Sequence, residues 1–183
     1  MRCNAKIRCL LLAFGSNISG AWGSPRETFD RARRELERSG VRIISTSLLY
    51  ATNPVGDVRQ PRYLNAVALA RTKLAPGNLL RLVKGLERRA GRKVSGRARP
   101  RPLDLDLIDY GGRRIGRPGR DDPRGRLLLP HPQVHRRAFV LVPLLDVAPH
   151  WRHPVLGTSA RALLARLPPG ERRGVRPLLD FSA

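Results

Sequence analysis

The hydrophobic positions change period along the chain, and those changes divide it into elements. Ile7 to Phe14 is an apolar run closed by the turn-forming Gly15-Ser16-Asn17, which predicts a buried strand. Ser24-Pro25-Arg26-Glu27 forms a capping box with proline at the first helical position, and Phe29, Ala32 and Leu36 recur at helical spacing until Ser39-Gly40. Val41 to Ala51, rich in β-branched and apolar residues, predicts a second strand. Thr52 to Arg62 carries Asn53-Pro54, Gly56 and Pro61 and is read as a loop long enough to have a functional role.

Strand character resumes over Tyr63 to Thr72. In the helix expected from Pro76 to Ala90, the residues Leu79, Leu82, Val83 and Leu86 form an i, i+3, i+4, i+7 stripe that Gly91 ends. The segment from Arg92 to Pro102 is basic and irregular, and Leu103-Asp104-Leu105-Asp106-Leu107 alternates strictly, so it predicts a strand. Gly111 to Arg126 is rich in glycine, arginine, proline and aspartate and is expected to be a mobile loop. Pro130-His131-Pro132 precedes an apolar segment, Ala138 to Leu145, interrupted by Pro143, and Thr158 to Leu167 predicts a short last helix. The order strand, helix, strand, strand, helix, strand fits an α+β, ferredoxin-like split βαβ sheet with helices on one face and extra C-terminal elements. Residues 1–167 are read as one domain and 168–183 as a poorly ordered tail.

Composition adds one anomaly. Of 36 cationic residues against 14 acidic ones, only Lys6, Lys73, Lys84 and Lys93 are lysines, so 32 are arginine and the formal charge is +22. Such a balance suits nucleic acid, an anionic membrane face or a phosphorylated small molecule; abundant arginine, alanine, glycine and proline also fit a compositional bias with no partner. No apolar run approaches the roughly 20 residues of a membrane helix. Basic residues before Cys9 to Phe14 superficially resemble a signal peptide, but the run lacks a small-x-small cleavage site and passes straight into Gly15-Ser16-Asn17, so it is read as a buried strand; the acid-free stretch before Glu27 leaves an organellar transit peptide as an alternative. With only Cys3 and Cys9 and no Cys/His cluster beside them, a disulfide framework or zinc site is not expected, and a reduced, cytoplasmic setting is.

Asp104 and Asp106 carry the candidate chemistry. Two apart on a strand, their side chains share a face while the leucines take the other. Either they are solvated acids, or they share a hard divalent cation that relieves their mutual repulsion. The basic loop holding Arg92, Arg97 and Arg101, together with the segment from Arg126 to Arg137 that brings His131, favours the second reading. Carboxylates among guanidiniums suit a metal-bound polyphosphate such as a nucleoside triphosphate. There is no Gly-x-x-x-x-Gly-Lys-Ser/Thr loop and no Gly-x-Gly-x-x-Gly after a strand. Aromatics, at 5%, are too sparse for a stacking platform on single strands. An arginine-rich, ferredoxin-like nucleic-acid module without catalysis is therefore the second reading, and another two-metal transferase the third.

Over nearly its whole length the chain resembles the 6-hydroxymethyl-7,8-dihydropterin pyrophosphokinases of folate biosynthesis. The matching stretches, in order, are Phe14-Gly-Ser-Asn17, Tyr50-x-Thr52-x-Pro54-x-Gly56, Gln60-Pro-x-Tyr63-Leu-Asn65, Glu87, Arg101-x-Leu-Asp104-Leu-Asp106, and Pro130-His131 with Arg137-x-Phe139. The resemblance implies a monomer that moves the β,γ-diphosphate of ATP to the dihydropterin hydroxymethyl group and releases AMP. It implies two Mg2+ ions on Asp104 and Asp106, with Arg97 and Arg101 joining them as catalytic residues. It also implies a pterin pocket of Thr52, Pro54, Val55 and Asn65 with Tyr63 and Phe139 stacking on the ring. The triphosphate side would take Glu87, Arg92, Arg97, Arg101, Arg126, His131 and Arg137. The chain departs from the family's usual Arg-Trp-Gly-Pro-Arg, reading Arg97-Ala-Arg-Pro-Arg101, and Lys84 and Leu128 stand where polar uncharged residues are common.

Overall fold

The computed structural model describes residues 7–54, 60–93, 99–116 and 127–178. Its centre is a sheet in which β1 (Arg8–Ser16) lies antiparallel between β4 (Tyr63–Thr72) and β5 (Asp104–Tyr110). The outer edge of β4 carries both β2 (Val41–Thr46) and β3 (Tyr50–Thr52). The single strand expected over Val41 to Ala51 is thus two short ones, because β4 is long enough to pair with each in turn. The strand order is β5-β1-β4-β3-β6, with β2 paired to β4 and β6 (Arg176–Pro177) antiparallel to β3.

Two helices cover one face of the sheet. In α1 (Pro25–Arg38) the capping box forms as expected: the Ser24 hydroxyl accepts from the Glu27 N–H while the Glu27 carboxylate accepts from the Ser24 N–H at 2.8 Å. Gly40, at φ +84°, takes the left-handed turn that ends α1, a conformation other residues adopt only with strain. The stripe of α2 (Pro76–Arg89) buries Leu79, Val83 and Leu86 against Leu10, Leu12, Leu105 and Leu107. At Gly20 the backbone passes so close to the Ala90 carbonyl and Pro102 that a Cβ has no room, which fastens the end of α2 to the chain entering β5.

The other face is also covered. The segment interrupted by Pro143 is a helix, α3 (Ala138–Val147), which lays Val140, Leu141 and Leu144 on Leu11, Val67 and Ile108, with Ala160 and Leu163 of α4 (Ala160–Ala165) in the same cluster. Proline costs that helix one amide donor, but burial of Ala138, Val140, Leu141, Pro143 and Leu144 compensates, and the helix runs through it. Helices therefore pack on both faces rather than one. From Pro168 the chain forms α5 (Pro169–Arg173) and β6, where the sequence suggested only a tail; the isolated segment has too few apolar residues to order itself, and β3 supplies the ladder. Ile115 and Leu129 exchange two backbone hydrogen bonds of 2.9 Å, closing the base of the glycine-rich loop. Among the described residues no helix is long and apolar enough to cross a membrane.

Candidate functional site

The ends of β1, β3, β4 and β5 converge beneath the first turn of α3, leaving a cleft of about 450 Å³. Its walls bring together Thr52, Pro54, Tyr63, Asn65, Arg101, Asp104, Asp106, Arg137 and Phe139, positions scattered over almost ninety residues of sequence. Asp104 and Asp106 face it from the same side of β5 while Leu105 and Leu107 sink into the α1–α2 layer, as the alternation requires. The pairing of β1 with β5 slips at Leu11/Leu12, so Ile108 is an extra residue and the parity changes beyond it. Asp109 therefore lands on the α3 side too. It takes no part in the pair, because the Trp151 indole N–H (2.9 Å) and the Gly112 N–H (3.0 Å) hold its two oxygens.

Each carboxylate of the pair is about a quarter exposed and each is met by cations. Asp104 accepts from Arg92, and from Arg101 at 2.8 Å. Burial alone raises its pKa, but Arg92, Arg101 and then Lys84 outweigh burial and hold it below the ordinary aspartate range. Asp106 accepts from Arg137 at 2.9 Å, with His131 Nε2 at 3.6 Å. The turn bearing His131 is fixed by its own N–H donating to the carbonyl of the extra residue, Ile108 (2.9 Å). His131 Nδ1 accepts from the Gln133 N–H at 3.2 Å, so the neutral ring carries its proton on Nε2, toward Asp106. Burial, with Arg137 and Lys84, depresses the His131 pKa despite both aspartates, which keeps the ring neutral near pH 7.

Glu87 does not line the cleft. It is 3% exposed and its Oε1 accepts from the Leu105 N–H, Lys84 Nζ and Arg92 Nη1, each at 2.8 Å. Burial raises its pKa, opposed chiefly by Lys84. The carboxylate thus works from behind, tying α2 to β5 and aiming Arg92 at Asp104. Arg92 in turn loses charge stability to burial but gains more from Asp104 and Glu87, so its pKa is raised.

The apolar half of the cleft is a slot. Tyr63 and Phe139 line it, and Asn65 Nδ2 donates to Thr52 Oγ1 at 2.9 Å at its buried polar edge. The Arg137 guanidinium lies 5.6 Å from the Phe139 ring centroid, joining the slot to the acidic pair. Val55, Arg97 and Arg126 lie outside the described residues.

Asn17, the last residue of Phe14-Gly-Ser-Asn17, is a junction. It is 4% exposed; its Oδ1 accepts from the Arg101 N–H (2.7 Å), its own N–H donates to the Arg101 carbonyl (3.1 Å), and its Nδ2 donates to the Pro61 carbonyl (3.3 Å) and Gln60 Oε1 (3.4 Å). One buried amide thereby joins the loop on the slot side to the arginine on the acidic side. Asn17→Ala is expected to cost about 1–3 kcal/mol of stability from the unpaired buried groups, read by denaturant unfolding. Gln133 also lines the cleft and accepts from Arg137 at 2.8 Å; no pattern in the sequence marks it.

Among the described residues no three His, Cys, Asp or Glu side chains converge as a metal cage. Two carboxylates on one strand face, opening into a cleft, are nonetheless a fitting donor set for a hard cation that keeps its remaining positions for water and phosphate oxygens.

Comparison with known proteins agrees with this geometry. The chain is 38% identical over 163 residues to the 2-amino-4-hydroxy-6-hydroxymethyldihydropteridine pyrophosphokinase of Pseudomonas aeruginosa, covering 88% of this chain and 93% of that one. It is 41% identical over 138 residues to the mitochondrial folate synthesis bifunctional protein of Arabidopsis thaliana, covering 75% of this chain but only 23% of that longer protein. The crystal structure of wild-type Plasmodium falciparum HPPK-DHPS with STZ-DHP superposes with a TM-score of 0.67 at 16% identity, over 88% of this chain and 42% of that one, which shows the shared fold. Residues 11–149 match the 7,8-dihydro-6-hydroxymethylpterin-pyrophosphokinase (HPPK) family, and with that match and the near full-length bacterial relative, the chain belongs to this family.

Proposed function

We propose that this protein transfers the β,γ-diphosphate of ATP to the hydroxymethyl oxygen of 6-hydroxymethyl-7,8-dihydropterin, releasing AMP, as a step of folate biosynthesis. The observation that carries the reading is the division of one cleft into an aromatic slot with an amide edge and an acidic pair ringed by arginines. A flat heterocycle with amide-like edges fits the first half, where Tyr63 and Phe139 offer ring faces and Asn65 with Thr52 offers donors and acceptors. A triphosphate fits the second.

The substrate hydroxyl oxygen attacks the β-phosphorus, the bond from that phosphorus to the α,β-bridging oxygen breaks, AMP departs, and the hydroxyl proton passes to solvent. Such a transfer needs in-line positioning and charge neutralisation more than a protein base. Two Mg2+ ions, which Asp104 and Asp106 would hold, supply Lewis-acid neutralisation of the phosphate oxygens. Arg92, Arg101 and Arg137, whose guanidiniums already stand at these carboxylates, would neutralise phosphate oxygens placed beside them. His131, neutral, offers its Nε2–H as a further donor, and Glu87 keeps Arg92 oriented.

The strand order agrees with a ferredoxin-like split βαβ core, in which β4 lies between β1 and β2 of the first β-α-β unit. We take the protein to act as a monomer on small-molecule substrates, and the sparse cysteines support a cytoplasmic setting. The relatives named above give no support to the nucleic-acid reading. The test is an assay of the purified protein with magnesium, ATP and 6-hydroxymethyl-7,8-dihydropterin. AMP should form in step with the pterin diphosphate, and release of ADP or no turnover overturns the reading.

A further inference from the structure

We infer that the C-terminal strap, α5 with β6, is a positioning element of the pterin slot. The inference rests on the function proposed above and extends it to residues beyond 149, where the family match ends. The slot hangs on β3, a strand of three residues whose last one, Thr52, holds the Asn65 amide. On its inner side β3 pairs with β4; on its outer side it pairs with β6, Tyr50 opposite Pro177 and Ala51 opposite Arg176. The Leu178 N–H donates to the Leu49 carbonyl at 2.8 Å. Antiparallel pairs alternate between hydrogen-bonded and non-bonded, so Pro177 falls at a position that needs no N–H, and the ladder survives a proline at its centre.

The strap also stands behind the slot. A second cavity, of about 640 Å³, lies between α5 and the residues Thr52, Asn53, Pro54 and Phe139, with Glu171 and Val175 on its far wall. The same four residues line the cleft, so they are a thin partition reached by substrate on one side and by the strap on the other. Tyr50 secures the start of β3 to α3 through its hydroxyl, 2.9 Å from Asp146 Oδ2, but Asn53 and Pro54, beyond the end of β3, have no ladder of their own. Pairing with β6 therefore restricts the ensemble of the partition. If the slot-competent arrangement is populated less without the strap, pterin affinity falls by that fraction. ATP is unaffected, because Arg92, Arg101 and His131 stand off β3 and Arg137, though it also borders the second cavity, is held by Asp106 and Gln133 rather than by β3.

Linkage makes the effect reciprocal: pterin must tighten the strap by the factor the strap tightens pterin. Leu178→Pro removes the N–H that bonds Leu49, and Leu178→Ala keeps it. With a non-hydrolysable ATP analogue and magnesium present, Leu178→Pro should weaken pterin binding about two- to fivefold, the upper end being the full worth of about one hydrogen bond. ATP-analogue affinity should stay within about twofold, and Leu178→Ala should match the wild type on both ligands. Unchanged pterin affinity in the proline variant, or equal loss on both ligands, overturns the inference. In the wild-type chain, hydrogen exchange at the Leu178 amide should slow on adding pterin; no slowing overturns it even should the proline variant fail to fold. A wild-type protein that binds no pterin at all contradicts the proposed function instead.

Discussion

Asp104→Ala and Asp106→Ala should each lower AMP formation by about a thousandfold or more, since each removes a cation ligand worth several kcal/mol of transition-state stabilisation at about 1.4 kcal/mol per tenfold in rate. The fold should survive. Both side chains are about a quarter exposed, and water replaces the lost carboxylate around Arg92, Arg101 or Arg137. Circular dichroism should therefore show a native spectrum with a melting temperature within a few degrees of wild type. A second readout separates metal binding from simple charge loss. Without divalent cations, Asp104→Ala should bind ATP at least as well as wild type, because Arg101 loses its internal counter-ion and Arg92 keeps only Glu87; with magnesium, the wild type should gain affinity and the variant should not. Near-normal turnover in either variant, or an equal magnesium gain in both proteins, rules out the metal role.

Arg101→Ala should be nearly as damaging. Its guanidinium is tied to Asp104 at 2.8 Å, it lines the cleft, and its backbone is fixed on both sides by Asn17. A guanidinium held this way is organised before substrate arrives and meets charge that develops on the phosphate oxygens, a role worth about a thousandfold in related chemistry. The loss should fall on kcat more than on the affinity for ATP, which Arg92 and Arg137 continue to serve. Arg101→Lys should recover only part of it, since an ammonium lacks the planar fork that spans two oxygens. A pre-steady-state AMP burst measured in the three proteins distinguishes slowed chemistry from slowed release. Loss confined to KM would assign Arg101 to ground-state binding alone.

The opening charge anomaly also resolves into parts. Arg92, Arg101 and Arg137 reach the acidic pair, whereas Arg31, Arg38 and Arg89 all converge on Glu35, with Arg31 and Arg89 over the Trp22 ring at 6.0 and 5.8 Å. That cluster braces α1 against α2, and none of its members lines the cleft. On an exposed surface such pairs contribute little each, so arginine abundance by itself says almost nothing about partners. Position beside a carboxylate in a cleft says a great deal.

Local pattern determined much of this protein. The caps of α1, the apolar stripe of α2, the span of β4 and the shared face of Asp104 and Asp106 follow from periods of 3.6 and 2 and from residues that satisfy backbone donors, all forces acting within a few positions. Residues of the ordered motifs make up most of the cleft lining. Tertiary structure decided the rest, because it depends on partners far away in sequence. The extra residue at Ile108 reversed the parity of Asp109; burial against the sheet kept α3 helical through Pro143; and Glu87 was withdrawn from the cleft to work behind it. Asn17 became a junction only because Arg101 and Pro61 arrive at its amide, and Arg176–Pro177 became a strand because β3 offers an edge. Sequence periodicity reports which way a side chain faces; what it meets there is settled by the packing of the whole chain.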